Sequence, residues 1–137
     1  MRDCKFCQIA TGKIPSYKVF ENERIFVFLD IHPQSEGHML IIPKTHYVSM
    51  YDIPEKLLCE IVSIAKKIAL RLKESNLADG VDITNANGVS AQQSVTHYHL
   101  HLLPRKTGDG LDCAGHSGYR MGNLEVLAEK YLNVLNK

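Results

Sequence analysis

The sequence predicts an α+β fold: a five-stranded antiparallel sheet with one long helix and one or more short helices. Five short apolar stretches are separated by turn-forming residues such as ENE and HPQSEG, and one long segment between the third and fourth has helical spacing. The 137 residues fit a single domain covering 1–137. The predicted strands are YKVF (17–20), RIFVFL (24–29), HMLIIP (38–43), VDITN (81–85) and HYHLHLL (97–103).

The long helix is predicted within residues 52–76, where apolar side chains form one stripe at helical spacing. Asp52 and Glu55 resemble a capping box, and Pro54 suits a first helical turn. We expect this helix to lie across the sheet, with the helices on one face. A shorter amphipathic helix is predicted over 123–135, after a glycine-rich stretch (108–122) that we interpret as a mobile segment or flap.

Composition narrows the classes of partner and the compartment. Apolar residues make up 45% and charged residues 23% of the chain, and the formal net charge of +1 is spread rather than concentrated, which argues against nucleic-acid binding. Residues 1–10 lack the apolar core of a signal peptide and no segment suits a membrane span, so we expect a cytoplasmic protein. In that compartment cysteines are free, metal-bound or redox-active rather than a disulfide frame. They are Cys4, Cys7, Cys59 and Cys113.

Three of the seven histidines alternate along the fifth predicted strand and therefore share one face of it. They are His97, His99 and His101. One interpretation is that neighbouring imidazoles hold a metal, and the other is that one imidazole acts as nucleophile or base while the rest orient it. The outer two would lie roughly 13 Å apart on a regular strand, which favours the second interpretation for the set. A neutral imidazole also suits attack on phosphorus, because its usual pKa is near 6.5.

The segment TNANGVSAQQSV (84–95), just before these histidines, is rich in neutral hydrogen-bond donors. Such a loop can offer backbone amides and side-chain donors to an anion such as phosphate. Taken alone, Asn87-Gly88 can also mark an ordinary turn. The position of the loop next to the histidines favours the phosphate interpretation.

The motif QSVTHYHLHLLPR resembles the signature of the histidine triad (HIT) family, and residues 4–47 resemble the N-terminal half of that family, with its Asp-Ile, Gly-His and Ile-Pro-Lys-x-His landmarks. The resemblance covers most of the chain. It implies a HIT-like fold and a homodimer that joins two sheets edge to edge. It also implies hydrolysis of purine nucleotide substrates of the AMP or GMP type, such as nucleoside phosphoramidates and dinucleoside polyphosphates, through a covalent nucleotidyl-histidine.

Carried over to this sequence, the resemblance makes His99 the nucleophile, with His101 and His38 as its supporting histidines and Ser94 as a hydrogen-bond donor to the phosphate or leaving group. It places Asp30 at the ribose hydroxyls. The implied substrate-binding set is Phe6, Ile9, Ile14, Asp30, Ile31, Asn85, Gln93, Ser94, His99 and His101. Within that set, the phenylalanine and the isoleucines would line the base pocket and Asn85 would contact the phosphate and leaving group. The family usually has glycine where this chain has Gln92.

The CKFC motif has the spacing of zinc ligands but lacks the second pair that would make it specific alone. The chain resembles the bacterial branch of the family that carries this motif. There the two cysteines bind a structural zinc with two histidines, which implies a closed Cys₂His₂ site here. The implied ligands are Cys4, Cys7, His46 and His97. No catalytic metal is required by the implied mechanism.

Two other hypotheses compete with a nucleotide hydrolase. One is a nucleotide-binding regulatory protein with negligible turnover, and the other is a metalloenzyme that uses the three histidines themselves as ligands. Loss of zinc on replacing His99, rather than Cys4, would indicate the metalloenzyme.

Overall fold

The computed structural model describes residues 3–111 and 122–136 and confirms the predicted five-stranded antiparallel sheet. Its strand order is β1-β2-β3-β5-β4, and every neighbouring pair is antiparallel. The strands are β1 (Lys18–Glu21), β2 (Ile25–Leu29), β3 (Met39–Pro43), β4 (Gly80–Thr84) and β5 (Leu100–Arg105). Most of the glycine-rich segment interpreted as a flap, including Cys113, lies outside the described residues.

Two helices cover one face of the sheet and a third lies against the other. The predicted helices are α2 (Glu55–Glu74) and α3 (Leu124–Leu135), and both pack on the larger core cluster, which includes Val27 and Ile41. The short helix α1 (Lys5–Ala10) was not predicted, and its apolar residues join the opposite face. The expectation that the helices lie on one face is therefore wrong for α1. This placement leaves room for a cleft between α1 and the sheet.

The fifth strand begins three residues later than predicted, at Leu100 rather than His97. The ladder between β3 and β5 ends at the pair Ile41 and Leu100, and two residues farther along β3 stands Pro43, which has no N–H to donate. The carbonyl oxygen of Pro43 instead accepts a hydrogen bond from Nε2 of the His97 ring over 2.8 Å. Residues 97–99 nonetheless keep the alternation of a strand, because Tyr98 packs in the α2 core while His99 contacts α1.

The start of α2 differs from the predicted capping box. Pro54 is the N-cap residue and makes no side-chain cap hydrogen bond. The Asp52 carboxylate instead accepts backbone N–H groups of Val48 and Ser49, at 3.0 and 2.8 Å, and so closes the loop before the helix. None of the helices in the described part of the chain combines the length and the apolar character needed to cross a bilayer.

Candidate functional site

A cleft of about 430 Å³ lies between α1 and the sheet face that carries the histidines. Its apolar wall comes from α1, the segment after it and strands β2 and β3, and its polar side from the loop after β2 and from β5. The volume is within the usual range of small-molecule pockets. The predicted site residues that line it are Phe6, Ile9, Ile14, Asp30, Ile31, His38, Ser94, His99 and His101.

The cleft also contains residues that sequence reasoning missed. Lys5 lies beside the apolar wall, and Tyr17 and Gln34 come from the segments before β1 and after β2. The motif offered no signal for them, because they become neighbours of the histidines only when α1 and these loops fold over the sheet.

His99 is held with one ring nitrogen protonated and the other free. The ring is 3% exposed, and its Nδ1 lies 2.8 Å from the carbonyl oxygen of His97. A carbonyl oxygen only accepts, so Nδ1 carries the proton and the neutral ring keeps a lone pair on Nε2. Burial lowers the pKa of His99 below its ordinary value, which favours this neutral form. The Phe6 ring meets the imidazole edge to face, with centroids 5.2 Å apart.

His38 and His101 form a directed pair beside it. The backbone N–H of Gln34 donates to Nδ1 of His38 over 3.1 Å, so Nε2 of His38 carries the proton. That Nε2 donates to Nδ1 of His101 over 2.9 Å and lies 3.5 Å from a carboxylate oxygen of Asp30. His101, when neutral, is therefore protonated on Nε2 and is a donor at that atom.

Both rings of this pair are neutral near pH 7. Burial, together with the neighbouring His99 and His38, lowers the pKa of His101 to about 4. Burial also lowers the pKa of His38, although the Asp30 carboxylate partly offsets the effect. One potential metal-ligand atom from each of Asp30, His38 and His101 lies within 4.8 Å of the others, a spacing that would suit a metal site. However, the Gln34 N–H leaves the proton on the Nε2 atom of His38 that would have to bind the ion, so a hydrogen-bonded chain fits better.

A second cluster, behind α1, joins the predicted metal ligands. Sulfur and nitrogen atoms lie 3.4 Å apart for Cys4 and His97, 3.3 Å for Cys7 and His46, and 3.5 Å for Cys7 and His97. In a tetrahedral zinc site with Zn–S of about 2.3 Å and Zn–N of about 2.1 Å, sulfur and nitrogen ligands lie about 3.6 Å apart. All four ligand atoms lie within 4.8 Å of one another. The cluster therefore fits a closed Cys₂His₂ zinc site.

The surroundings of this cluster also suit a cation. Burial and the adjacent Cys4 raise the pKa of the Cys7 thiol, so a positive ion between the two sulfurs would offset the cost of their ionisation. His97 donates its Nε2 proton to the Pro43 carbonyl, which leaves Nδ1 free to bind the ion. Among the described residues, no candidate ligand group includes His99, which counts against a metal held by the three histidines together.

Two predicted substrate-binding residues lie outside the cleft lining. The Asn85 side chain donates its Nδ2–H to the carbonyl oxygen of His99 over 2.9 Å. The Gln93 side chain accepts the N–H of Gly88 at 2.8 Å and donates to the carbonyl of Val48 at 2.6 Å. Their contact with a substrate stays a prediction, and the geometry gives both of them a part in holding the chain around the histidines.

Comparison with known proteins agrees with this geometry. The model of the HIT domain family matches residues 11–108. The chain belongs to the HIT family. An uncharacterised HIT-like protein of Methanocaldococcus jannaschii is 43% identical over 107 residues, which are 78% of this HIT protein and 82% of the relative. An adenosine 5′-monophosphoramidase of Candida albicans is 42% identical over 107 residues, which are 75% of this chain and 70% of that enzyme.

One solved structure that resembles this fold is of a zinc-bound protein. The zinc-bound histidine triad protein of Mycobacterium smegmatis superposes with a TM-score of 0.89 at 34% identity, and the match covers 98% of this HIT protein and 94% of that chain. A HIT-like protein of Bartonella henselae, solved with an unknown ligand, gives a TM-score of 0.80 at 30% identity over 98% of both chains. The predicted HIT-like fold is thus confirmed.

Proposed function

We propose that this protein hydrolyses purine nucleoside phosphoramidates or dinucleoside polyphosphates through a nucleotide bound covalently to His99. The observation that carries the proposal is the proton arrangement of the cleft. His99 keeps an unprotonated Nε2, while His101 keeps a proton on its Nε2. A nucleophile and a hydrogen-bond donor are therefore present together at neutral pH, and the name of the Candida relative supports the substrate class.

The chemistry divides into two displacements. His99 Nε2 attacks the α-phosphorus, the bond from phosphorus to the leaving group breaks, and the leaving group departs with a proton from solvent. His101 and Ser94 donate hydrogen bonds to the phosphoryl oxygens as negative charge grows on them. Water then attacks the same phosphorus and breaks its bond to Nε2, which releases the nucleoside monophosphate and a proton. His99 returns to its neutral form with the proton still on Nδ1.

Recognition of the nucleoside is assigned to the apolar side of the cleft. Phe6, Ile9 and Ile14 offer a flat apolar wall that suits a purine base. Asp30 lines the cleft, with one oxygen accepting the N–H of His32 at 2.8 Å. Its carboxylate keeps further acceptor capacity for the ribose hydroxyls.

Release of AMP from adenosine phosphoramidate tests this proposal. The wild type should release AMP, while His99→Ala should bind AMP but lose turnover by several orders of magnitude. Asn22→Asp, a change in the turn between β1 and β2, is the control and should match the wild type. An inactive wild type that binds AMP tightly would instead support the nucleotide-binding regulatory protein.

We also propose that the zinc is structural and that the protein works in the cytoplasm. Zinc held by Cys4, Cys7, His46 and His97 would fix α1 to the start of the histidine segment. Metal analysis of the purified protein should give one zinc per chain in the wild type and in His99→Ala. Loss of zinc in His99→Ala would contradict this assignment.

A homodimer joined through β4 completes the proposal. The other edge strand, β1, packs against α3, and Asn136 at the end of α3 donates to the Val19 carbonyl at 2.9 Å. Strand β4 is an edge of the sheet with Ile83 45% exposed, and in the described part of the chain no strand pairs with its outer side. Ile83→Asp should therefore give a monomer in analytical ultracentrifugation where the wild type gives a dimer. A monomeric wild type would refute the dimer.

A further inference from the structure

His99 lies just outside the hydrogen-bonded sheet, so the ladder does not fix its main chain. Strand β5 begins at Leu100. The pairing between β4 and β5 ends at Thr84 of β4, which lies opposite His101 of β5. A nucleophile needs its reactive atom held within a fraction of an ångström of the productive position. Some other contact must therefore hold the backbone of His99.

Side-chain amides supply that contact. Asn85, the first residue after β4, donates its Nδ2–H to the carbonyl oxygen of His99 over 2.9 Å. Asn87 donates its own Nδ2–H to Oδ1 of Asn85. The Oδ1 of Asn87 accepts the backbone N–H of Met50 over 2.7 Å. These bonds form one directed chain from the loop before α2 to the main chain of the nucleophile.

The direction of this chain fixes which way each amide faces. The Met50 N–H can only donate, so it requires the oxygen of Asn87 and leaves the NH₂ group to face Asn85. Asn85 in turn presents its oxygen to Asn87 and its NH₂ group to the His99 carbonyl. A carbonyl can only accept, so the opposite orientation of Asn85 would place two oxygens against each other.

We propose that Asn87 is a positioning residue for His99 and acts through Asn85. Asn87 does not line the cleft. Its part is to hold the amide of Asn85 in the one orientation that binds the His99 main chain. This inference rests on the proposed function only in that His99 is the reacting residue.

Asn87→Asp separates this role from packing. The variant side chain has nearly the same shape, and one of its oxygens still accepts the Met50 N–H. Its other oxygen faces Oδ1 of Asn85, so that amide must turn over and direct its oxygen at the His99 carbonyl. The His99 main chain then loses its donor, and the imidazole loses its fixed position.

The expected effect is on kcat rather than on binding. Asn87→Asp should lower kcat for adenosine phosphoramidate by about 10- to 100-fold, the loss expected when a reacting group is misplaced by about 1 Å. AMP affinity and zinc content should stay as in the wild type. Asn22→Asp is the matched control, because Oδ1 of Asn22 also accepts backbone N–H groups, those of Arg24 and Ile25, in a turn that does not line the cleft.

A second readout needs no turnover. In ¹H–¹⁵N spectra of the imidazoles, His99 of the wild type should be a single Nδ1–H tautomer, and Asn87→Asp should give a mixture of tautomers. The missing signal in His99→Ala assigns the resonance. If the wild type turns nothing over, the proposed function fails, but a mixed tautomer in the variant still supports the positioning role.

Two results would overturn the inference. One is a kcat and a His99 spectrum in Asn87→Asp that match the wild type. The other result applies if Asn87→Asp does not fold. In that case Asn85→Ala, which removes the direct donor to His99, is measured instead, and a wild-type kcat in that variant would overturn the inference. Where both variants fold, their combined loss should be no larger than either alone, since they break the same chain.

Discussion

Replacing Phe6 with alanine tests how one ring shapes the cleft. The ring is 5% exposed and packs edge to face on Phe28, His99 and His97, at centroid distances of 5.5, 5.2 and 6.0 Å. A buried Phe→Ala change costs about 3–5 kcal/mol of unfolding free energy. The ring is also one of two buried side chains of α1, so its loss weakens the packing of α1, which forms part of the cleft wall, against the sheet.

Phe26→Ala is a matched control on the same face of the sheet. Phe26 is 6% exposed, belongs to the same apolar cluster and packs on Phe28 at 5.9 Å, but it does not line the cleft. Urea unfolding should show a similar loss of stability for both variants. Calorimetric titration with AMP should show weaker binding, by about tenfold or more, for Phe6→Ala alone, since stacking on an aromatic ring contributes roughly 1–3 kcal/mol per base.

Two outcomes would refute this reasoning. If Phe26→Ala weakens AMP binding as much as Phe6→Ala does, the effect comes from general destabilisation. If Phe6→Ala binds AMP as tightly as the wild type, the ring is not a wall of the nucleotide site.

Three further predictions concern zinc, pH and backbone strain. Cys4→Ser should bring zinc below one ion per chain by metal analysis and weaken AMP binding in calorimetry, since α1 links both sites; unchanged AMP affinity would show that the sites are independent. The pKa of His101 is about 4 when folded and near 6.5 when unfolded, so its contribution to stability is complete above pH 6.5 and falls as the pH drops toward 4. Between pH 7 and pH 5, the free energy of unfolding measured in urea should therefore fall by about 1 kcal/mol more for the wild type than for His101→Gln, a figure reduced to allow for the partial exposure of the ring. Equal decreases in the two proteins would contradict the lowered pKa. Gly37→Ala should lower the free energy of unfolding by about 3 kcal/mol or more, because at φ +85° the added Cβ would lie 2.5 Å from the Tyr131 ring. Gly12→Ala, at φ +83° in open space, should lower it by only about 1 kcal/mol. Equal decreases in melting temperature for the two variants would refute this account.

The strands and the long helix could be predicted because each carries its own periodicity. Alternation placed Tyr98 and His99 on opposite faces even though the hydrogen-bonded strand starts later. The helix α1 could not be predicted this way, because six residues give too short a window for helical spacing. It forms because Cys4 Sγ accepts the N–H of Cys7 and because Phe6 is buried against the sheet.

Within the site, the family resemblance predicted nine residues of the cleft lining and the four residues of the metal cluster. It did not predict Lys5, Tyr17 and Gln34, nor the contacts that orient the histidines. The Gln34 N–H that fixes the proton of His38 on Nε2 is a backbone group, so the identity of the residue at position 34 does not predict this hydrogen bond. Asp52 was predicted as part of a helix cap, yet its carboxylate accepts backbone N–H groups of the turn before the helix, and Pro54 is the N-cap residue. The place of Asn87 likewise depends on Met50, which is 37 residues away in the chain.

Intact-protein mass spectrometry tests the central claim, that His99 is the nucleophile. The protein would be mixed with adenosine phosphoramidate, quenched rapidly without acid, and compared with His99→Ala. We expect the wild type to gain the mass of one AMP transiently and His99→Ala to show no adduct while still binding AMP. An adduct that persists in His99→Ala, or turnover by the wild type with no adduct at any time, would contradict the claim.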